Sequence, residues 1–148
     1  VPFFAQTEQQ CGPAVLASVL NYWGHRITLD EAVGAVYQPK LKGALPLDLQ
    51  LAALDRGFHA EVVTGTLDRL ARSLERGRPP IVFLNLGWKL FPLGHFVVVT
   101  GIHAARREVT AHSGETPDLS IPYAEFLPGW EKTGNWMLLI TPQKEAEP

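Results

Sequence analysis

Three residues carry most of the chemical potential of this chain: Cys11, His95 and Gln6. Cys11 lies in Gln-Gln-Cys-Gly-Pro-Ala, and Pro13 marks the first turn of a helix, where a missing N–H costs nothing. A thiol at a helix N-terminus feels the positive end of the macrodipole and lies near amide N–H groups that lack intrahelical partners. Both effects favour the thiolate, the nucleophilic form. On position alone, a small buried hydrophobe is an equally good reading of a free cysteine. His95 shifts the balance. It opens the apolar run Phe96–Val99 directly after Gly94, where a strand mouth would hold an imidazole facing a cleft. Such a group can take a thiol proton and return it to a leaving amine, provided the two meet at about 2.6–3.2 Å. The plainer alternative is a surface histidine at a strand end. Gln6 offers a side-chain amide which, with the Cys11 N–H, would serve a developing oxyanion. Gln9 and Gln10 compete for that role, and a polar loop residue is the bland reading of all three.

These groups have to be positioned by the rest of the chain. Leu16, Leu20 and Trp23 recur at helical spacing, so the helix opened by Cys11 is expected to run to about Trp23, with Gly24 as its C-terminal cap. Thr28-Leu-Asp-Glu31 is a capping-box pattern for a short helix to about Tyr37. A third helix is expected over Pro46–Arg56, then a strand over Phe58–Val63. Leu67, Leu70 and Leu74 return to helical spacing, closed by Gly77. Ile81–Asn85, Phe96–Thr100, Glu108–His112 and Trp136–Ile140 read as strands of an antiparallel set, with a short helical turn at Tyr123–Phe126. Helices first and strands later predict an α+β domain of two lobes. Residues 1–142 are expected to form one domain, and the polar residues 143–148 a tail or the start of a linker to a further domain.

Composition narrows the function classes. The chain has 148 residues, 46% hydrophobic and 19% charged, which is ordinary for a globular domain and not for a disordered segment. Thirteen basic residues against fifteen acidic ones, with no long run of either sign, argue against a nucleic-acid binder. Arg69, Arg72, Arg76 and Arg78 form a mild basic cluster, read as the solvated face of a helix. One cysteine allows no internal disulfide, and no apolar stretch is long enough to span a membrane. Neither HExxH nor CxxC occurs, so no metal and no cofactor is expected. His25, His59 and His103 carry no site pattern. The chain begins at Val1, close to the cysteine motif, so an upstream segment that exports or anchors the protein is compatible with the sequence, and the compartment stays open.

The segment Val1-Pro-Phe-Phe-Ala-Gln-Thr-Glu-Gln-Gln-Cys-Gly-Pro-Ala-Val-Leu-Ala, followed much later by Gly94-His-Phe-Val-Val-Val-Thr-Gly101, resembles the C39 family of peptidases. These are bacterial papain-like enzymes, best known as double-glycine leader peptidases of bacteriocin exporters, and the match is closest to the stand-alone branch. The resemblance implies a papain-like two-lobe fold, an N-terminal helical lobe packed on a C-terminal antiparallel sheet. It also implies a peptide or protein substrate with small residues, glycines by analogy, before the cut. Cys11 matches the nucleophile, His95 the base and Gln6 the oxyanion glutamine, one residue closer to the cysteine than in the exporter peptidases. The family's histidine-orienting Asp follows the next strand. Here that place reads Ala-His112-Ser113-Gly-Glu-Thr-Pro-Asp, so Ser113 stands where the acid belongs. A serine can accept a hydrogen bond from an imidazole but cannot stabilise an imidazolium as a carboxylate does. Glu115, Asp118 and His112 are nearby substitutes, each read more simply as a loop or strand-end residue.

Two further readings share the fold. Degenerate C39-like domains serve exporters as peptide docks, and the missing acid supports that option here. A related acyl transfer, transglutaminase-like or amidase, would use the same Cys–His pair. Trp88, Phe91 and Pro92 precede His95 and suit one wall of a peptide groove. Trp23, Trp130 and Trp136 suit the core or a lobe interface better.

Overall fold

A computed structural model of the chain describes residues 11–36, 38, 44–87, 94–112 and 117–143. Among them stand five α-helices, α1 (Cys11–Tyr22), α2 (Leu29–Val36), α3 (Pro46–Asp55), α4 (Leu67–Glu75) and α5 (Tyr123–Glu131). Six strands, β1 (Phe58–Thr64), β2 (Ile81–Asn85), β3 (Gly94–His103), β4 (Glu108–His112), β5 (Leu119–Pro122) and β6 (Trp136–Pro142), make one antiparallel sheet in the order β1-β6-β2-β3-β4-β5. The C-terminal strand β6 is inserted between β1 and β2, which ties both halves of the chain together.

Alternation along the strands divides the core in two. Phe96 and Val98 of β3, with Ile81, Leu138 and Ile140, pack under α1, α2 and α3. Val97 and Val99, with Val82, Leu84 and Met137, pack under α4 and α5. A sheet with apolar residues on both sides of each central strand must be covered on both faces, and the helices do so. The α1 helix is buried almost all round, from Gly12 to Leu20, which fixes its N-terminus against the sheet.

The capping box at α2 forms as its sequence pattern requires. Thr28 N–H donates to Glu31 Oε1 and Glu31 N–H donates to Thr28 Oγ1, each at 3.1 Å. Gly77 closes α4 with φ +71°, in the left-handed region that glycine enters without strain. Two elements differ from the expectation. The turn at Tyr123–Phe126 is the start of a nine-residue helix, α5, which carries Pro128 and Gly129 inside it. Proline and glycine are poor helix formers, but Phe126 and Trp130 are fully buried on α5, and their burial holds the helix together. The strand β5 was not expected, because its four residues end in proline. It is the outermost strand, where proline is tolerated.

Gly65 has a packing reason. A Cβ placed there would overlap the six-membered ring of the Trp130 indole and reach within 3.2 Å of Met137 Sδ. Trp130 cannot move aside, since it has no exposed surface and its Nε1 donates to Trp136 O at 2.9 Å. Gly65→Ala is therefore expected to destabilise by about 1–3 kcal/mol, read by urea denaturation. A stability equal to wild type would show that the ring has room to shift.

Candidate active site

Cys11 is the first residue of α1 and is half-buried. It packs against the core beneath the helices. The close fit next to it explains Gly12: a Cβ there would stand 2.9 Å from Ala44 Cβ and 3.3 Å from Leu49 Cδ1. Burial pushes the Cys11 thiol above its ordinary value, while hydrogen bonds from the backbone of Phe96, Gly12 and Cys11 itself pull it down less strongly. Helix position favours the thiolate as the sequence suggests, but loss of water outweighs it.

A raised thiol has a consequence for stability. Below the ordinary thiol pKa the cysteine is protonated whether folded or unfolded, and its contribution is constant. As pH rises through that value the unfolded chain ionises first, so folding is progressively disfavoured until the folded thiol also ionises. The stability of wild type relative to Cys11→Ser is thus expected to fall above the ordinary thiol pKa. Denaturant titrations near neutrality and in mild alkali check this. A relative stability that rises with pH would mean that the folded site prefers the thiolate.

His95 is the second residue of β3, half-buried, and opposite Leu84 of β2. The Phe96 main chain that reaches the Cys11 sulfur is the next residue along. The opening helix and the mouth of β3 are therefore in direct contact at this point. By the pleat His95 leaves the strand on the side opposite Phe96, next to the open end of β3 at Gly94. Gly94 itself abuts an aromatic wall, since a Cβ there would stand 2.6 Å from Phe83 Cζ. Phe83 stacks on Phe96 with centroids 4.4 Å apart, and Trp136 meets Phe96 edge-on at 5.8 Å. A hollow of about 380 Å³ opens against this stack, lined by Phe83, Trp136, Pro46, Gly94, Asn85 and Thr133, with Lys132 at its side. Lys132 Nζ donates to Gly87 O at 2.8 Å and Thr133 Oγ1 to Phe83 O at 2.7 Å, which ties the end of α5 to β2 at this hollow.

Gln6 and Ser113 lie outside the described residues, as do Glu115, Trp88, Phe91 and Pro92. His112 is not the solvent-facing residue expected at a strand end. It is 7% exposed, opposite Val98, and its Nδ1 accepts the Asp118 N–H at 3.2 Å. Asp118 Oδ1 is 3.9 Å from the same nitrogen and is mostly exposed, a weak partner. His103 Nε2 is 2.8 Å from Thr110 Oγ1, a cross-strand contact within β3 and β4. Among the described residues no three His, Cys, Asp or Glu side chains gather as a metal ion would need. The aromatic hollow was missed in the sequence because Phe83, Trp136 and Pro46 come from three distant elements. The only hint was that both aromatics stand in predicted strands.

A helical lobe with a cysteine at the head of its first helix, packed on an antiparallel sheet with a histidine at a strand mouth, defines the papain-like two-lobe class. The chain belongs to the peptidase C39 family, whose model matches residues 1–145. Among solved structures it is similar to the peptidase domain of Streptococcus ComA, a bifunctional ABC transporter involved in quorum sensing. The TM-score is 0.76 at 22% identity, with 95% of this chain and 98% of that one covered. It is also similar to a double-glycine-motif protease from an AMS/PCAT transporter, solved with its leader peptide (TM-score 0.71, 24% identity, 97% and 92% covered). A C39-like protein of Bacillus anthracis superposes with a TM-score of 0.78 at 16% identity over 97% and 95% of the two chains. No curated protein matches the chain. Among the described residues no helix is long and apolar enough to cross a membrane.

Proposed function

We propose that the chain is a cysteine peptidase in which Cys11 is the nucleophile and His95 the proton carrier. The observation that carries this reading is the hydrogen bond from the Phe96 backbone to the Cys11 sulfur, which sets the head of α1 against the residue next to His95. Because burial keeps the thiol protonated near neutral pH, His95 acts as a general base at the moment of attack. The thiol proton passes to the imidazole as sulfur bonds to the substrate carbonyl carbon. The Cys11 N–H, with Gln6 as the second donor, stabilises the oxyanion. The C–N bond then breaks, the imidazolium returns the proton to the leaving amine, and water hydrolyses the thioester. Ser113 accepts from the far side of the imidazole in place of the family's acid. The substrate is a peptide with small residues before the cut, a reading supported by family membership and by the leader peptide bound to a relative of the same fold.

Mass spectrometry of a double-glycine leader peptide incubated with the protein tests this. Cleavage after the glycine pair that disappears in Cys11→Ala is the expected result. Binding of the peptide without cleavage would instead establish a peptide-docking domain. That second reading is favoured by two observations, the thiol held up by burial and the serine at the acid position.

A further inference from the structure

On the face of the sheet away from Cys11, the arginines read from sequence as a solvated helix face border a concavity. Arg69, Arg72 and Arg76 stand three and four residues apart on α4, and with Arg78 they rim a hollow of about 210 Å³ floored by Leu139 of β6 and Ser73. Arg78 is brought there by a fastened turn. Its N–H donates to Ser73 O at 2.9 Å, and Ser73 Oγ donates back to Arg78 O. Arg69, Arg72 and Arg76 are exposed and form no ion pair among the described residues, although Asp68 and Glu75 lie on the same helix. Like charges at this spacing repel one another. The three exposed guanidinium groups of Arg69, Arg72 and Arg76 around one hollow suit planar oxyanion groups, which each can hold bidentately.

The hollow does not end there. Arg78 and Leu139 also line a second concavity of about 590 Å³ that continues over β1 toward α3. Glu61 pairs with Leu139 and His59 with Thr141 on the α4 side of the sheet, while Ala60 and Val62 face the α3 side, so this concavity wraps the outer edge of β1. At the far end stand Val62 and Leu54, both exposed. Leu54 is the last of an apolar stripe, Leu47, Leu51 and Leu54, turned outward on α3. The groove is thus strongly basic at one end and mixed at the other, where Val62 and Leu54 stand among Gln50, His59, Glu61 and Thr141.

We propose that this groove docks a polypeptide segment in which acidic residues, held by the arginines, are followed by aliphatic ones that lie against Leu139, Val62 and Leu54. Charge complementarity selects the acidic end. The continuation into a longer hollow, with Leu139, Val62 and Leu54 along it, selects a peptide over a free anion, which would fill the smaller hollow alone. The inference does not rest on the Cys11 chemistry, since Cys11 packs on the opposite face of the sheet from Leu139.

Fluorescence anisotropy with a fluorescein-labelled peptide, Asp-Glu-Asp-Glu-Val-Leu-Val, tests the docking. Binding is expected to weaken as salt rises and to drop about tenfold in Arg72→Glu/Arg76→Glu, the sum of two exposed charge pairs. It is expected to be unchanged in Cys11→Ala, and the double variant is expected to keep the Cys11 reactivity of wild type, which separates this site from the thiol centre. The charge-conserving Arg72→Lys/Arg76→Lys is expected to recover binding in part. The proposal is overturned by equal binding of the Asn/Gln analogue of the peptide, by full affinity in the charge-reversed variant, or by inorganic phosphate competing while a peptide lacking the Val-Leu-Val end binds as well as the whole.

Discussion

His95→Ala is expected to leave Cys11 unreactive toward iodoacetamide near neutral pH and to restore its reactivity only in alkali. The reason is the state of the thiol. Burial raises it above the ordinary range, so at neutrality the sulfur holds its proton unless another group removes it. The proposed base is His95, the neighbour of Phe96, whose backbone hydrogen-bonds to the sulfur. Loss of a general base of this kind removes about 10²–10⁴-fold in rate. Alkylation of wild type and variant across pH, followed by intact-mass spectrometry, gives both profiles. Wild type should react with a profile set by an imidazole, and the variant with one displaced toward alkaline pH. Identical profiles would mean that Cys11 is a buried thiol without a base, and the docking reading would then stand.

Trp130→Ala is expected to destabilise the fold by about 3–5 kcal/mol, a large share of the roughly 5–15 kcal/mol that holds a domain of this kind together. Trp130 is fully buried on α5, tilts against Phe126 at 5.2 Å and fills the space that Gly65 leaves open. Its indole donates to Trp136 O, and Trp136 in turn borders the aromatic stack beside Cys11. The substitution therefore removes packing on one face of the sheet and loosens the strand that supports the site on the other. Trp130→Phe keeps most of the ring volume and loses the hydrogen bond, so it should fall between the two. Urea midpoints with unchanged slopes measure the effect. A loss below about 1 kcal/mol for the alanine variant would show that the surroundings collapse onto the cavity.

Local signals made much of this arrangement legible in the sequence. Pro13 after Cys11, the Thr28–Glu31 box and Gly77 are decided by a few neighbouring residues, and the helices they delimit stand where those residues place them. The branched and aromatic runs at Ile81–Asn85 and from Phe96 onward likewise form the central strands. What failed was decided by distant partners. Pro128 and Gly129 hid α5, because their local preference is overruled by burial of Phe126 and Trp130 against the sheet. The direction of the Cys11 shift could not be read either, since it depends on how far tertiary packing buries the thiol. His112 was read as exposed for the same reason, and only tertiary packing buries it. The arginines of α4 were visible as one helix face, but the concavity they rim needs Arg78 and Leu139 from other elements.

The structure of the protein with a Gly-Gly peptide aldehyde bound tests the central claim most directly. A thiohemiacetal is predicted, with Cys11 Sγ bonded to the former aldehyde carbon, its oxygen at the Cys11 N–H, and a His95 ring nitrogen at about 2.6–3.2 Å from the adduct. A free thiol beside unreacted aldehyde, or an adduct with both His95 ring nitrogens beyond hydrogen-bond reach of it, would contradict it.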